Sequence, residues 1–426
     1  MLDSIGSTYA VPGRPTREGP VRVIAIHRYF WPDSPPYASF LRQIAGRWVE
    51  DGHSVEVLTG QPSYASSGRP SPRTETLDGL RIRRLPVMRD RSGGWRQLAN
   101  LVIFPALVAA RILIGRRPDV VMCSTVPRVT LGTAVSIAAR LRRAPFVYHC
   151  MDLHPEIGRI SGEFANPVVF RALARLDLAT MRRASRIVVL SQDMRRAVID
   201  RDAALAGKIV ILNNWALPDF AEPEPAPLPT PAVGTLRVVF TGNLGRFQGL
   251  ETVVDALADL PETTGVEMVF MGEGRAKPEI EEAASSLTER SNVDVVFVPQ
   301  GPPSAAKALM RTAHVGLVTL VPDVVRYAYP SKTATYATEG LPLLVVCEQD
   351  SELAQSVRDH GLGWSASSGD RAGLVAALTT AAAEFAVDGL ADRRTAVAAY
   401  ADEAFGQDTA LDRWGALLAD TAEEAS

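Results

Sequence analysis

The sequence predicts an α/β protein made of two doubly wound parallel sheets in tandem. Three observations support this. Short Val- and Ile-rich runs alternate with amphipathic stretches through most of the 426 residues. Six prolines crowd into Pro218–Pro231, which reads as a stiff, extended connector. The charge also changes sign there. Residues 1–220 hold 31 Lys+Arg against 18 Asp+Glu, and the remainder 14 against 30, within a net charge of −3.

Taken in order, residues 1–19 have no apolar core of a signal peptide and read as a disordered tail. Val21–Ile26 is a buried-strand run. The loop HRYFWPDSPPYAS precedes an amphipathic helix at Phe40–Glu50, and Asp51-Gly52-His53 leads to a strand at Val55–Thr59. Arg81–Leu85 is a third strand. Leu98–Gly115 is the most apolar stretch, but Pro105 and Arg111 make it a poor membrane span. It suits a buried helix or one lying on a membrane surface. Strands follow at Val120–Ser124, Phe146–His149, Arg186–Leu190 and Ile209–Leu212, with helices at Thr130–Leu141 and Val168–Arg182.

After the connector (218–234) the rhythm resumes in 235–392, with strands at 237–240, 267–271, 293–298, 314–320 and 342–346 and a helix at Leu374–Glu384. Residues 393–426 read as a closing helical pair anchored by Tyr400, Phe405, Leu411 and Trp414. The stretch RVVFTGNLGRFQGLETVVDAL stands out. A strand, a loop with glycines at 242, 245 and 249, and a helix start can hold a phosphate on backbone N–H groups and a positive helix end. The spacing GxxGxxxG is neither the dinucleotide fingerprint nor a P-loop, and a plain tight turn fits it equally.

Composition removes other classes. Hydrophobic content of 46% and charged content of 22% are globular values. Cys123, Cys150 and Cys347 form no CxxC pair, which argues against a metal site or disulfide framework and fits a reducing, cytoplasmic compartment. No nucleic-acid module is visible. The Arg-rich first half, with RRLPVMRDRSGGW and the apolar helix after it, suggests docking on anionic lipid at the inner face of a membrane.

The segments RYFWPDSPPYASFLRQIA, YHCMDLHPE, RIVVLS, FTGNLGRFQGLET, VFMGEGR, HVGLVTLVPDVVRYAYPSK and EAF…LDRW run in one order over about residues 21–415. Together they resemble the retaining GT-B glycosyltransferases of family 4, in the branch that builds bacterial exopolysaccharide, O-antigen and colanic acid. The resemblance implies two Rossmann-like domains facing a cleft, an acceptor domain at 20–217, a nucleotide-sugar domain at 235–392 and a C-terminal helix crossing back. It implies sugar transfer from a nucleoside diphosphate, UDP preferred, to a glycan or lipid-linked acceptor. No cofactor and no metal are expected, since no DxD-type cluster occupies a suitable loop.

Under that resemblance the leaving diphosphate needs fixed positive charge, and Arg246 and Lys332 are the candidates. The N–H groups of Gly242, Asn243, Leu244 and Gly245, with Gln248, Tyr329 and Ser331, are expected around the phosphates. Gly272, Glu273 and Gly274 line the nucleotide pocket, and Val298 and Pro299 meet the base. Family members usually carry a Glu where Thr335 stands, expected on the ribose; Thr335 keeps a hydroxyl there but not the charge. Glu339 lies about one helical turn beyond. On the first domain, His149 and Asp152 are expected at the reacting sugar, positioning it or acting as base. Tyr37, Ser39, Arg42, His154 and Glu156 are expected on the substrate. Two other readings share the fold: a sugar-nucleotide epimerase and a non-catalytic binding protein.

Overall fold

The structure is a computed structural model that describes residues 19–33, 36–62, 71–87, 95–217, 225 and 227–424. The expected tail (1–18), residues 218–224 and 226 of the connector, and 88–94 of the Arg-rich stretch lie outside the described residues. Two units emerge: one from the residues up to Leu217 with Tyr327–Tyr329 and the chain from Gln407, the other from Pro218–Arg326 and Pro330–Gly406.

The first unit is built on β1 (Arg22–Ile26), β2 (Ser54–Thr59), β3 (Thr74–Leu77), β4 (Leu80–Arg84), β5 (Val120–Ser124), β6 (Phe146–His149), β7 (Arg186–Val189) and β8 (Ile209–Ile211). Their order is β3-β4-β2-β1-β5-β6-β7-β8. All pairs are parallel except the β3–β4 hairpin. Its helices are α1 (Pro36–Glu50), α2 (Trp95–Ile114), α3 (Thr130–Leu141), α4 (Glu156–Ile160), α5 (Pro167–Arg183) and α6 (Gln192–Arg201). The inner strands β1, β5, β6 and β7 are near-continuous apolar runs, as suits a sheet covered by helices on both faces. The first helix starts at Pro36, not Phe40, since proline's fixed φ suits a first helical position.

The second unit's sheet contains β9 (Leu236–Thr241), β10 (Val266–Met271), β11 (Val293–Val298), β12 (Val315–Thr319), β13 (Leu343–Val346) and β14 (Gly363–Ala366), in the order β11-β10-β9-β12-β13-β14, all parallel. Around it are α7 (Leu250–Ala258), α8 (Lys277–Ser285), α9 (Pro303–Met310), α10 (Lys332–Thr338), α11 (Glu352–Asp359), α12 (Arg371–Asp388) and α13 (Ala391–Ala404). The expected closing pair splits: α13 stays with this unit, and only α14 (Gln407–Glu423) joins the first. There Leu411, Trp414, Leu417 and Leu418 enter the core beside Phe40 and Trp48 of α1, and Trp48 Nε1–H donates to the Trp414 carbonyl at 3.2 Å.

In each sheet the strand order reverses beside its first strand, between β1 and β5 and between β9 and β12. Open α/β sheets bind ligands at the carboxyl ends of strands flanking such a reversal. The glycine loop follows β9, and the polar loop of the first unit follows β1.

Candidate functional site

In the second unit the loop after β9 is braced from three sides. Gly242 N–H donates to the Met271 carbonyl at 2.8 Å and Leu244 N–H to the Glu273 carbonyl at 2.9 Å, while Gly245 N–H donates to Gln248 Oε1 at 3.1 Å. Three of the four N–H groups expected on a phosphate therefore serve the loop itself. Among the described residues Asn243, Arg246 and Phe247 keep N–H groups with no acceptor. Thr319 Oγ1–H donates to the Gln248 carbonyl (2.8 Å) and Val321 N–H to the Phe247 carbonyl (2.7 Å), tying the loop to the end of β12.

The expected nucleotide-pocket glycines have a packing role. A Cβ on Gly272 would lie 1.8 Å from the Gly242 oxygen, and one on Gly274 would lie 2.1 Å from the Leu244 oxygen. Two loops thus meet backbone to backbone, which only glycine permits. Glu273 is exposed and pairs with Lys277 at 2.8 Å. The Val298 carbonyl accepts from Gly272 N–H, so it closes the β10–β11 edge, and Pro299 is exposed beyond it.

Lys332 opens α10 and reaches under this loop. Its Nζ lies 4.4 Å from the centroid of the Phe240 ring, and its Cε lies 3.4 Å from where a Gly242 Cβ would sit. The side chain keeps partial exposure, but burial lowers its pKa to about 8. Among the described residues no carboxylate pairs with it. Arg246 is exposed at the tip of the loop with no partner among the described residues. Ser331 is exposed and makes no capping bond, and Thr335 is half-buried on α10. Glu339 faces away toward Lys307 (3.5 Å) and Arg311 (3.9 Å).

Tyr336 was not foreseen. Its hydroxyl accepts from Thr241 N–H at 2.8 Å and locks α10 to the end of β9. The signal was present: in KTATYAT it stands four residues after Lys332, on the same helix face as that cation.

In the first unit the polar loop folds inward. His27 Nδ1 and Ser124 Oγ hydrogen-bond across the reversal between β1 and β5. Tyr37 packs at a tilt against His27 (ring centroids 4.3 Å) and its hydroxyl shares a hydrogen bond with His149 Nδ1 at 2.9 Å. Trp414 of α14 closes over His149 at 4.8 Å between centroids. His149 is 1% exposed and its Nε2 has no partner among the described residues. Burial pushes its pKa to about 3, so this residue, expected at the reacting sugar to position it or act as base, is a neutral imidazole in the core.

The other residues expected on the first domain take these places. Tyr37 is buried. Ser39 sits inside the first turn of α1 and not at its cap. Arg42 pairs with Asp78 at 3.1 Å and lies over the Trp31 ring. Glu156 pairs with Arg201, which also holds the buried Asp177 at 2.7 Å. His154 is buried with its pKa near 3. Tyr329 packs on the core of the first unit. Asp152 is half-buried just after β6, forms a bridge with Ala328, and burial raises its pKa to about 6, with Arg128 opposing the shift.

These shifts set a pH dependence. His27, His149 and His154 have folded pKa values of about 3, mainly through burial. The unfolded chain takes up their protons near pH 6.5 and the folded chain does not, so stability falls as pH drops below that value. Asp152 and Asp177 are raised by burial and act in the opposite direction, but the histidines outnumber them. Urea unfolding at pH 7, 6 and 5 should show a loss of about 1–2 kcal/mol per pH unit below pH 6.

Comparisons with known proteins agree with this architecture. Residues 37–215 match the glycosyl transferase 4-like domain. A probable glycosyltransferase, WbjE, of Pseudomonas aeruginosa is 26% identical over 293 residues, covering 66% of this chain and 70% of that protein. A putative colanic acid biosynthesis glycosyl transferase, WcaI, of Escherichia coli K12 is 22% identical, covering 75% and 83%. Sucrose-phosphate synthase from Thermosynechococcus elongatus superposes with a TM-score of 0.68 at 15% identity, over 95% of this chain and 99% of that one. Anabaena HepE in complex with UDP-glucose superposes at 0.64 and 15%, over 94% and 100%. With two reversed parallel sheets and a helix that rejoins the first unit, the chain has the GT-B fold and is similar to these glycosyltransferases, its residues 37–215 matching their glycosyl transferase 4-like domain.

Proposed function

We propose that the protein transfers a sugar, with retention at the anomeric carbon and without a metal ion, from a nucleoside diphosphate to a glycan or lipid-linked acceptor of cell-surface polysaccharide or glycolipid synthesis. The observation that carries this is Lys332: a desolvated ammonium without a carboxylate partner among the described residues, set beneath the glycine loop at the strand reversal of the second unit. A diphosphate would complete it. As the bond from the anomeric carbon to the β-phosphate oxygen breaks, charge grows on the leaving diphosphate, and Lys332 and Arg246 stabilise it there. The proton of the acceptor hydroxyl passes to the leaving phosphate. UDP is the preferred nucleotide, a choice supported by the UDP and UDP-glucose complexes of HepE. The three cysteines are free and buried, which supports a reducing, cytoplasmic setting.

A panel of nucleotide sugars, scored for enzyme-dependent release of the nucleoside diphosphate, tests the reading; no release from any of them contradicts it. Arg246→Ala should lower turnover by about 10- to 100-fold through lost leaving-group stabilisation. Because Arg246 is exposed, unfolding should move by no more than about 0.5 kcal/mol.

A further inference from the structure

We propose that the outer face of α2, α3 and α5 is a docking surface for an anionic lipid bilayer. The three helices cover one side of the first sheet, with α3 packed against both neighbours. Their inner residues, among them Phe104, Val108, Leu131 and Val135, share one core with β1, β5 and β6. Among the described residues nothing gives their outer residues such cover. Of the twelve large hydrophobic residues exposed among the described residues, nine lie on these three helices. Val102 (67%), Ile114 (86%), Leu141 (67%) and Val168 (65%) are the most open. A soluble surface normally scatters such residues singly; a concentration marks a partner site.

The charge on this face has one sign. Neither α2 nor α3 contains Asp or Glu, and the one acid of α5, Asp177, is buried against Arg201 and Tyr148. Arg116, Arg140, Arg171, Arg175 and Arg183 are exposed, and among the described residues none of them has a carboxylate partner. Apolar side chains interleaved with unpaired arginines suit a headgroup layer, where the former enter the acyl boundary and the latter meet phosphates. A second copy of the chain fits poorly, since a two-fold contact would set arginine against arginine. The surface lies on the bilayer instead of crossing it: among the described residues no single helix is long and apolar enough to span.

Flotation of the full chain with phosphatidylglycerol–phosphatidylcholine vesicles, and with phosphatidylcholine alone, tests this without any donor or acceptor. Failure here and failure of the transfer reading are therefore seen separately. The chain should bind the anionic vesicles, less so in high salt, and not the neutral ones. The triple variant Arg116→Glu, Arg140→Glu, Arg175→Glu should weaken binding by about 100-fold, at about fivefold per lost charge. A second variant, Val102→Ser, Ile114→Ser, Leu141→Ser, should remove the binding that survives salt. All six positions are exposed, so both variants should melt like the parent. Absence of binding at low salt, or binding by both variants equal to the parent's, overturns the proposal. So does a concentration-dependent dimer, without vesicles, that the same substitutions dissolve, since the face is then a protein interface.

Discussion

Lys332→Met should weaken UDP binding by at least about 100-fold, about 2.7 kcal/mol, and lower turnover by a further tenfold or more, while making the free protein more stable. The two effects share one cause. The ammonium lies over Phe240 and under the glycine loop, out of bulk water and without a carboxylate among the described residues. Below pH 8 both the folded and unfolded chains hold its proton, and the folded chain bears the desolvation. Between pH 8 and the ordinary lysine value near 10.5 the folded chain releases the proton first, so this group's contribution improves as pH rises. Methionine keeps the stem and removes the charge. Urea unfolding at pH 7 should show a gain of roughly 1–2 kcal/mol, discounted from the full shift because the side chain keeps some exposure. A binding residue that is costly in the empty protein is the usual signature of a site awaiting its ligand.

Gly272→Ala should destabilise the second unit by roughly 3–5 kcal/mol and abolish nucleotide binding. Its φ of +154° disfavours a side chain, and the added carbon would fall 1.8 Å from the Gly242 oxygen. That neighbour is backbone, held by the Gly242 N–H bond to Met271, so neither loop can yield without losing the β9–β10 alignment. Gly274→Ala meets the Leu244 oxygen in the same manner. Gly46 in α1 is the control. It has open space around its Cβ position, and alanine there should be neutral or stabilising by up to about 1 kcal/mol. Urea unfolding followed with UDP titration of each variant distinguishes the three positions.

The elements that sequence reasoning found are those whose burial is written locally. β1, β5, β9 and β12 are Val- and Ile-rich runs, and nothing else fits such runs between helices. β3 (TETL) and β14 (GWSA) escaped because a polar edge strand and a strand of small residues carry no alternation to read. The glycine loop was legible in position but not in mechanism. Its N–H groups belong to Met271, Glu273 and Gln248, partners set by the approach of a second loop that no local spacing reveals. His149 and Glu156 stood at a strand end, where polar residues often meet ligands. Trp414, from the far end of the chain, packs over His149, and Arg201, from α6, pairs with Glu156. Lys332 was found through its motif, whereas its lack of a counter-ion among the described residues emerged only from the packing around Phe240.

Calorimetric titration of UDP at pH 8.5, in two buffers of different ionisation heat, tests the central claim most directly. If the diphosphate completes Lys332, its pKa rises on binding, and the complex should take up a substantial fraction of one proton. Lys332→Met should lose both that uptake and the affinity. Binding of UDP by Lys332→Met with the parent's affinity, or parent binding without proton uptake, would contradict a diphosphate held at Lys332.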